Sequence, residues 1–138
     1  MIVYGKNVIK EAIFASRKIE KLYLDEKFSD QRFLSFLKDK NVRFSYKSKG
    51  ELNQMTQQAI HQGVVAEVEA YAYKELSDIF DSSKRQKFLI LDGIEDPHNL
   101  GAILRTAEAT QMDAIILSKK GQVPLNATVA KVSSGAIE

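Results

Sequence analysis

The sequence predicts an α/β protein in two parts. Three observations carry this: apolar residues switch repeatedly between period-two runs and helical spacing, one such switch (Phe88 to Met112) reads as strand, loop and helix, and a second apolar run, Ala114 to Leu117, follows that helix directly. A strand, a helix and a second strand in that order imply a parallel pair with a right-handed crossover, so ligands are expected at the carboxyl ends of the strands.

Taken in order, Tyr4 and Gly5 precede a helix from Asn7 to about Ser16, with Val8, Ile9, Ala12, Ile13 and Ala15 buried and Lys6, Lys10 and Arg17 off that stripe. Ile19 to Leu24 reads as a strand. Asp30 is placed to cap a helix reaching about Lys40, which packs Phe33, Leu34 and Leu37. Val42, Phe44 and Tyr46 alternate with Arg43, Ser45 and Lys47, the pattern of a half-buried strand. Lys49 to Met55 forms a short helix, and His61 to Ala70 contains a strand in which Val64, Ala66 and Val68 alternate with Val65, Glu67 and Glu69. These elements make a small α/β sandwich over residues 1–70. A connection over 71–86, with helical spacing at Leu76, Ile79 and Phe80, leads to a second domain over 87–138.

In that second domain Phe88 to Leu91 is a strand, Asp92, Gly93, Asp96 and Pro97 make a turn, and Asn99 stands where a helix N-cap is expected. Leu100, Ile103, Leu104 and Ala107 form the apolar stripe. Gly101, Arg105, Glu108 and Met112 fall on a neighbouring face, where a glycine one turn from an arginine lets another backbone or a ligand come close. After the strand at Ala114 to Leu117, a last helix begins at Asn126 or Thr128 and ends near Gly135.

Composition narrows the function classes. With 44% hydrophobic and 28% charged residues the chain is an ordinary globular protein, and no run of 18 or more apolar residues points to a membrane span, so a cytoplasmic protein is expected. The absence of cysteine excludes disulfides and thiolate metal sites, two histidines are too few for a zinc site, and no metal is expected. No glycine run has dinucleotide or P-loop spacing. Residues 1–50 carry twelve Lys or Arg against six Asp or Glu, whereas the remainder is slightly acidic. A positive lobe beside a near-neutral one suits a module that attracts phosphate joined to one that does chemistry; a solvated surface is the plainer alternative.

The segment DGIEDPHNLGAILRTAEA resembles the first signature of the SpoU (TrmH-like) family of RNA ribose 2′-O-methyltransferases, and LNATVAKVSSGAIE resembles the second, through Ser133, Gly135, Ala136 and Glu138. YGKNVIKEAI and HQGVVAEV resemble the N-terminal RNA-binding domain of the branch that modifies guanosine in large-subunit ribosomal RNA. The resemblance implies an RNA-binding sandwich followed by the first half of a SPOUT-type parallel-sheet domain. The third signature, which forms the trefoil knot and most of the S-adenosylmethionine pocket, would begin beyond Glu138. An N-terminal part of a methyltransferase about twice as long, inactive by itself, is therefore expected. A homodimer and a ribosomal RNA partner are implied with it.

Arg105 is the catalytic candidate, through phosphate positioning and oxyanion stabilisation, because a guanidinium stays protonated and is a poor base. The resemblance adds Asn99, to orient Arg105 or the ribose, and Glu138, to anchor the network. On spacing alone Asn99 reads as a cap. Lys6, Lys10, Arg17, His61 and Gln62 are the candidate RNA contacts, with His61 read equally as a structural hydrogen-bonding residue before a strand. Gln111 departs from the family, which has glycine there. A binding-only RNA module and a dimerisation fragment remain the alternatives to catalysis.

Overall fold

The computed structural model describes residues 1–138 and divides them into two compact units, residues 1–70 together with Glu138, and residues 71–137. In the first unit β1 (Ile2–Tyr4), α1 (Lys6–Phe14), β2 (Ile19–Asp25), α2 (Gln31–Asp39), β3 (Ser45–Lys47), α3 (Lys49–Met55) and β4 (Val64–Val68) follow one another, as the alternating pattern predicts. The strands form one sheet in the order β1-β4-β2-β3, with β4 antiparallel to both neighbours and β2 parallel to β3. One face, with Tyr23 and Val65, packs on Leu52 and Met55 of α3. The opposite face, Leu22, Leu24, Val64 and Ala66, is fully buried as well, with α1 packed along β1 and β4. Val65 is therefore core rather than the solvent side that simple alternation gives it, because helices cover both faces of the central strand.

Helix ends follow local chemistry. The Asp30 side chain accepts from Phe33 N–H at 3.1 Å, as expected of a cap. Ser48 and Glu51 form a reciprocal capping box at α3, and these bonds hold the exposed Glu51 carboxyl down at about 2. The S-x-x-E spacing was readable in the sequence. At β3 the expectation fails: Phe44 and Tyr46 are 38% and 55% exposed and pack on each other edge-to-face, 5.6 Å apart. Period-two alternation marks two faces, but β3 is an edge strand and its aromatic side never meets the core.

In the second unit α4 (Leu76–Ile79) precedes β5 (Phe88–Leu91), α5 (Pro97–Ala109), β6 (Ala114–Leu117) and α6 (Ala127–Val132). β5 and β6 pair in parallel, from Phe88 opposite Ala114 to Leu91 opposite Leu117. Their core gathers Leu91, Leu100, Leu104, Val123 and Val129, so the predicted stripe of α5 is the buried one. Asn126 starts α6, its side chain accepting from Val129 N–H at 3.0 Å. Gln111 holds φ 54, the left-handed conformation that a glycine takes without strain, in the tight turn between α5 and β6.

Asn99 does not cap α5. The helix begins at Pro97, and Asp96 accepts from His98 N–H at 2.7 Å. Proline is pre-set for the first helical position and has no N–H to satisfy, so the acid before it becomes the cap. Replacing Asp96 by alanine should cost about 1 kcal/mol of stability in chemical denaturation, while Asn99→Ala should change it by less than about 0.5 kcal/mol.

Candidate active site and nucleic-acid surface

In the second unit, the loops at the carboxyl ends of β5 and β6 are tied to each other. Ile94 N–H donates to Gln122 Oε1 at 3.2 Å, and Val123 N–H donates to the Ile94 carbonyl at 2.8 Å. Gly93 and Gly121 turn with φ 68 and 63. A Cβ on Gly121 would meet nothing within 4 Å, so a side chain there would enter open space. Gln122 Nε2 is shielded from solvent and has no hydrogen-bond partner, leaving an unspent donor at the strand ends where a ligand is expected. Sequence reasoning missed Gln122, for which no motif gives a signal.

α5 presents the catalytic candidates. Asn99 and Arg105 are both exposed, and neither side chain hydrogen-bonds or ion-pairs within the protein. Six residues separate them, about 9 Å along the helix and roughly a third of a turn around it, so the fold does not bring one against the other. Gly101, one turn before Arg105, is buried because α6 lies on it. A Cβ there would sit 2.7 Å from Val132 Cβ and 3.1 Å from Ser133 N. The glycine thus admits another backbone, one of the two options its spacing allowed. The same contact joins the two signature segments, since Ser133 is itself 1% exposed and donates its hydroxyl to the Ala130 carbonyl at 3.1 Å. The Glu138 carboxylate accepts from Arg17 Nε at 2.6 Å, and both side chains are largely buried.

The first unit holds an open cleft of about 760 Å³ beside the loop that enters β4. It gathers Lys6, His61 and Gln62 of the sequence candidates, with Lys6 N–H donating to Gln62 Oε1 at 3.2 Å. Lys10 and Arg17 lie elsewhere, Lys10 over the Phe33 and Phe36 rings and Arg17 on Glu138 and the Glu69 carbonyl. His61 is 6% exposed; its Nε2–H donates to Asn53 Oδ1 at 2.9 Å and its Nδ1 accepts from Gly63 N–H at 3.0 Å. Both ring nitrogens are spent inside the protein, so His61 is a structural residue of the cleft wall. Asn53, Phe28 and Lys49, its other walls, were not legible, because chain segments distant in sequence supply them.

Burial lowers the His61 pKa from its ordinary value, with Lys49 adding to the effect and Asp25 opposing it. The folded state therefore binds that proton less readily than the unfolded chain. Stability carried by neutral His61 should be complete above the ordinary histidine value of 6.5 and fall as pH drops below it. Thermal unfolding followed from neutral to about pH 5.5 should show this loss, and His61→Gln should flatten it.

Residues 2–74 match the family model described as RNA 2′-O ribose methyltransferase substrate binding, and residues 86–138 match the SpoU rRNA methylase family. The chain belongs to the SpoU family. Among SpoU relatives, YacO of Bacillus subtilis (strain 168), assigned to the TrmH family of tRNA/rRNA methyltransferases, is 42% identical over 143 residues. That match takes in 99% of this chain and 57% of YacO. A Staphylococcus aureus (strain COL) protein of the same assignment is 38% identical, over 99% of this chain and 58% of its own length. Two solved structures also align. AviRb of Streptomyces viridochromogenes, in complex with AdoMet, superposes with a TM-score of 0.78 at 21% identity over 99% of this chain and 52% of AviRb. An AdoMet-bound rRNA methyltransferase from Sinorhizobium meliloti gives 0.75 at 23% identity over 99% of this chain and 50% of that protein. The SpoU chain thus spans little more than half the length of the proteins it matches, and its fold is that of the corresponding half.

Proposed function

We propose that this chain is the RNA-binding lobe and first half of the catalytic domain of an S-adenosylmethionine-dependent methyltransferase acting on a ribose 2′-hydroxyl, with a guanosine of large-subunit ribosomal RNA as target. The observation that carries the reading is the packing of the first signature on the second through Gly101 and Ser133, with Arg105 left exposed and unpaired one turn away. S-adenosylmethionine supplies the methyl group when bound. Gln122 Nε2, buried and without a partner beside the glycine turns at Gly93 and Gly121, is the group of this chain that fits an acceptor of such a ligand.

Arg105 is the proposed catalytic residue. Its fork of N–H donors pairs with the phosphate beside the target ribose and stabilises the oxygen as it loses its proton. Because a guanidinium keeps its own proton, it lowers the cost of the oxyanion rather than acting as the base. Asn99, free of any capping duty, is proposed to contact the ribose on the same helix face as Thr106, as a positioning residue separate from Arg105. Glu138, whose carboxylate accepts from Arg17, is left outside the proposed set.

The segment of the relatives that this chain does not span is proposed to complete the pocket, and the 138 residues alone are expected not to turn over. Homodimerisation of the full-length protein belongs to the same proposal, supported by the apolar surface of Leu76, Phe80 and Ile90, which are 49%, 59% and 71% exposed. No helix is long and apolar enough to cross a membrane, and a cytoplasmic setting is proposed with the ribosomal substrate. The test is transfer of labelled methyl to large-subunit ribosomal RNA by this chain and by the chain extended to the relatives' length, with the product nucleoside identified by mass spectrometry. The extended protein should yield 2′-O-methylguanosine and the short chain nothing. A methylated base, or another nucleoside, would overturn the corresponding part of the reading. Binding of RNA by the short chain together with no turnover by the extended protein would match the second reading, a binding module, which the cleft of the first unit favours.

A further inference from the structure

We infer that the cleft of the first unit is a subsite for one unstacked nucleotide of the RNA, gripped through its base as well as its phosphates. This rests on the RNA-binding part of the reading above and specifies what that lobe recognises. At about 760 Å³ the cleft lies within the roughly 300–1,000 Å³ range of ligand sites. Its chemistry is that of a nucleotide. Phe28, half-buried and set edge-to-face on Phe33 at 5.7 Å, offers an aromatic surface for a base. Lys27 and Lys49 stand at the same cleft with no ion-pair partner, whereas Lys6 is neutralised by Asp30 at 2.7 Å. Asn53 is oriented by His61: its Oδ1 accepts from His61 Nε2–H, which leaves the amide N–H₂ as a donor for a base edge. Asp25, whose Oδ1 takes the Lys27 N–H, adds an acceptor to this mixed lining.

The wall grows out of the end of α3. Gln57, Gln58 and Gln62 hold φ of 52, 65 and 57, and Ile60 between them is 81% exposed. Gln57 and Gln58 close α3 as helices ordinarily end, Gln57 N–H donating to the Gln54 carbonyl at 3.3 Å and Gln58 N–H to the Asn53 carbonyl at 2.8 Å, and this turn leads Ala59 to Gln62 along the cleft. Gly63, at φ 76, lets this wall close on Phe28: a Cβ there would lie 3.0 Å from Phe28 Cδ2. A concave, side-chain-lined cleft cannot take a base that remains stacked in a duplex, so its occupant is a bulged, looped or flipped nucleotide.

The test uses the intact chain and two RNA hairpins with the same stem, one fully paired and one carrying a single bulged 2-aminopurine nucleotide. The bulged hairpin should bind about tenfold tighter, with the fluorescence quenched as the base stacks. Phe28→Leu, which keeps an apolar side chain, should remove the preference and the quench, and Asn53→Asp, which still accepts from His61, should reduce the preference several-fold. Lys49→Ala should weaken the bulged hairpin more than the paired one and lower the salt dependence of its binding. A millimolar nucleoside monophosphate should compete poorly; if it displaces the hairpin fully, the cleft is a small-molecule site and the inference falls. Equal binding of both hairpins, unaffected by Phe28→Leu, overturns the subsite while leaving the RNA-binding reading intact. If neither hairpin binds at low salt, the RNA-binding reading falls and the subsite with it.

Discussion

Arg105→Lys in the full-length protein is expected to lower methyl transfer by about 10²–10³-fold while leaving stability within about 0.5 kcal/mol of the parent. The two halves of this expectation come from the same observation. Arg105 is exposed on α5 and makes no bond or ion pair within the protein, so the fold loses nothing when the side chain changes. Lysine keeps the positive charge but replaces the planar fork with a flexible point charge, which cannot hold a phosphate by two parallel hydrogen bonds. Single-turnover transfer, with RNA binding measured separately, distinguishes this role from general attraction. A catalytic arginine lowers the transfer rate with binding nearly unchanged, whereas a surface cation weakens binding and leaves the rate of bound RNA alone.

Gly101→Ala is expected to lose about 1–2 kcal/mol of stability, although alanine is intrinsically the better helix former by about 1 kcal/mol. Steric contact decides the sign. The new Cβ would lie 2.7 Å from Val132 Cβ, 2.9 Å from Val132 Cγ1 and 3.1 Å from Ser133 N, and the last of these is backbone. α6 would have to move away from α5, opening the core around Leu100 and Val129. Val132→Ala in the same protein should restore only part of the loss, because it removes the Cγ1 contact and leaves Cβ and the Ser133 amide in place. Denaturant unfolding measures both; full rescue by Val132→Ala, or an increase in stability for Gly101→Ala, would show that the helices separate freely.

Catalysis and packing meet at this glycine. Moving α6 displaces Ser133 and the turn at Gly135, which are parts of the second signature, so the Gly101 variant should also lose activity in the full-length protein beyond what its folded fraction explains. Asn99→Ala, by contrast, should reduce transfer without touching stability, since Asp96 rather than Asn99 caps the helix.

Much of the architecture follows from the sequence alone, for reasons that are local. The stripe of Leu100, Ile103, Leu104 and Ala107 needs only helical geometry to face one way, and Asp30 and Asn126 cap their helices because each bond closes within three residues. The family was legible for a related reason: both signatures are short contiguous runs. What tertiary structure decided involves segments far apart in the chain. Which face of β4 is buried depended on α3 covering the second face, and the exposure of Phe44 and Tyr46 depended on β3 lying at the edge of the sheet. The role of His61 depended on Asn53 and Gly63 occupying its two nitrogens, the place of Glu138 on Arg17, and the need for Gly101 on a helix that starts 26 residues later. Spacing along a chain sets direction and period, but a donor's partner and a side chain's free volume are properties of the packed neighbourhood, which exists only once the chain has folded.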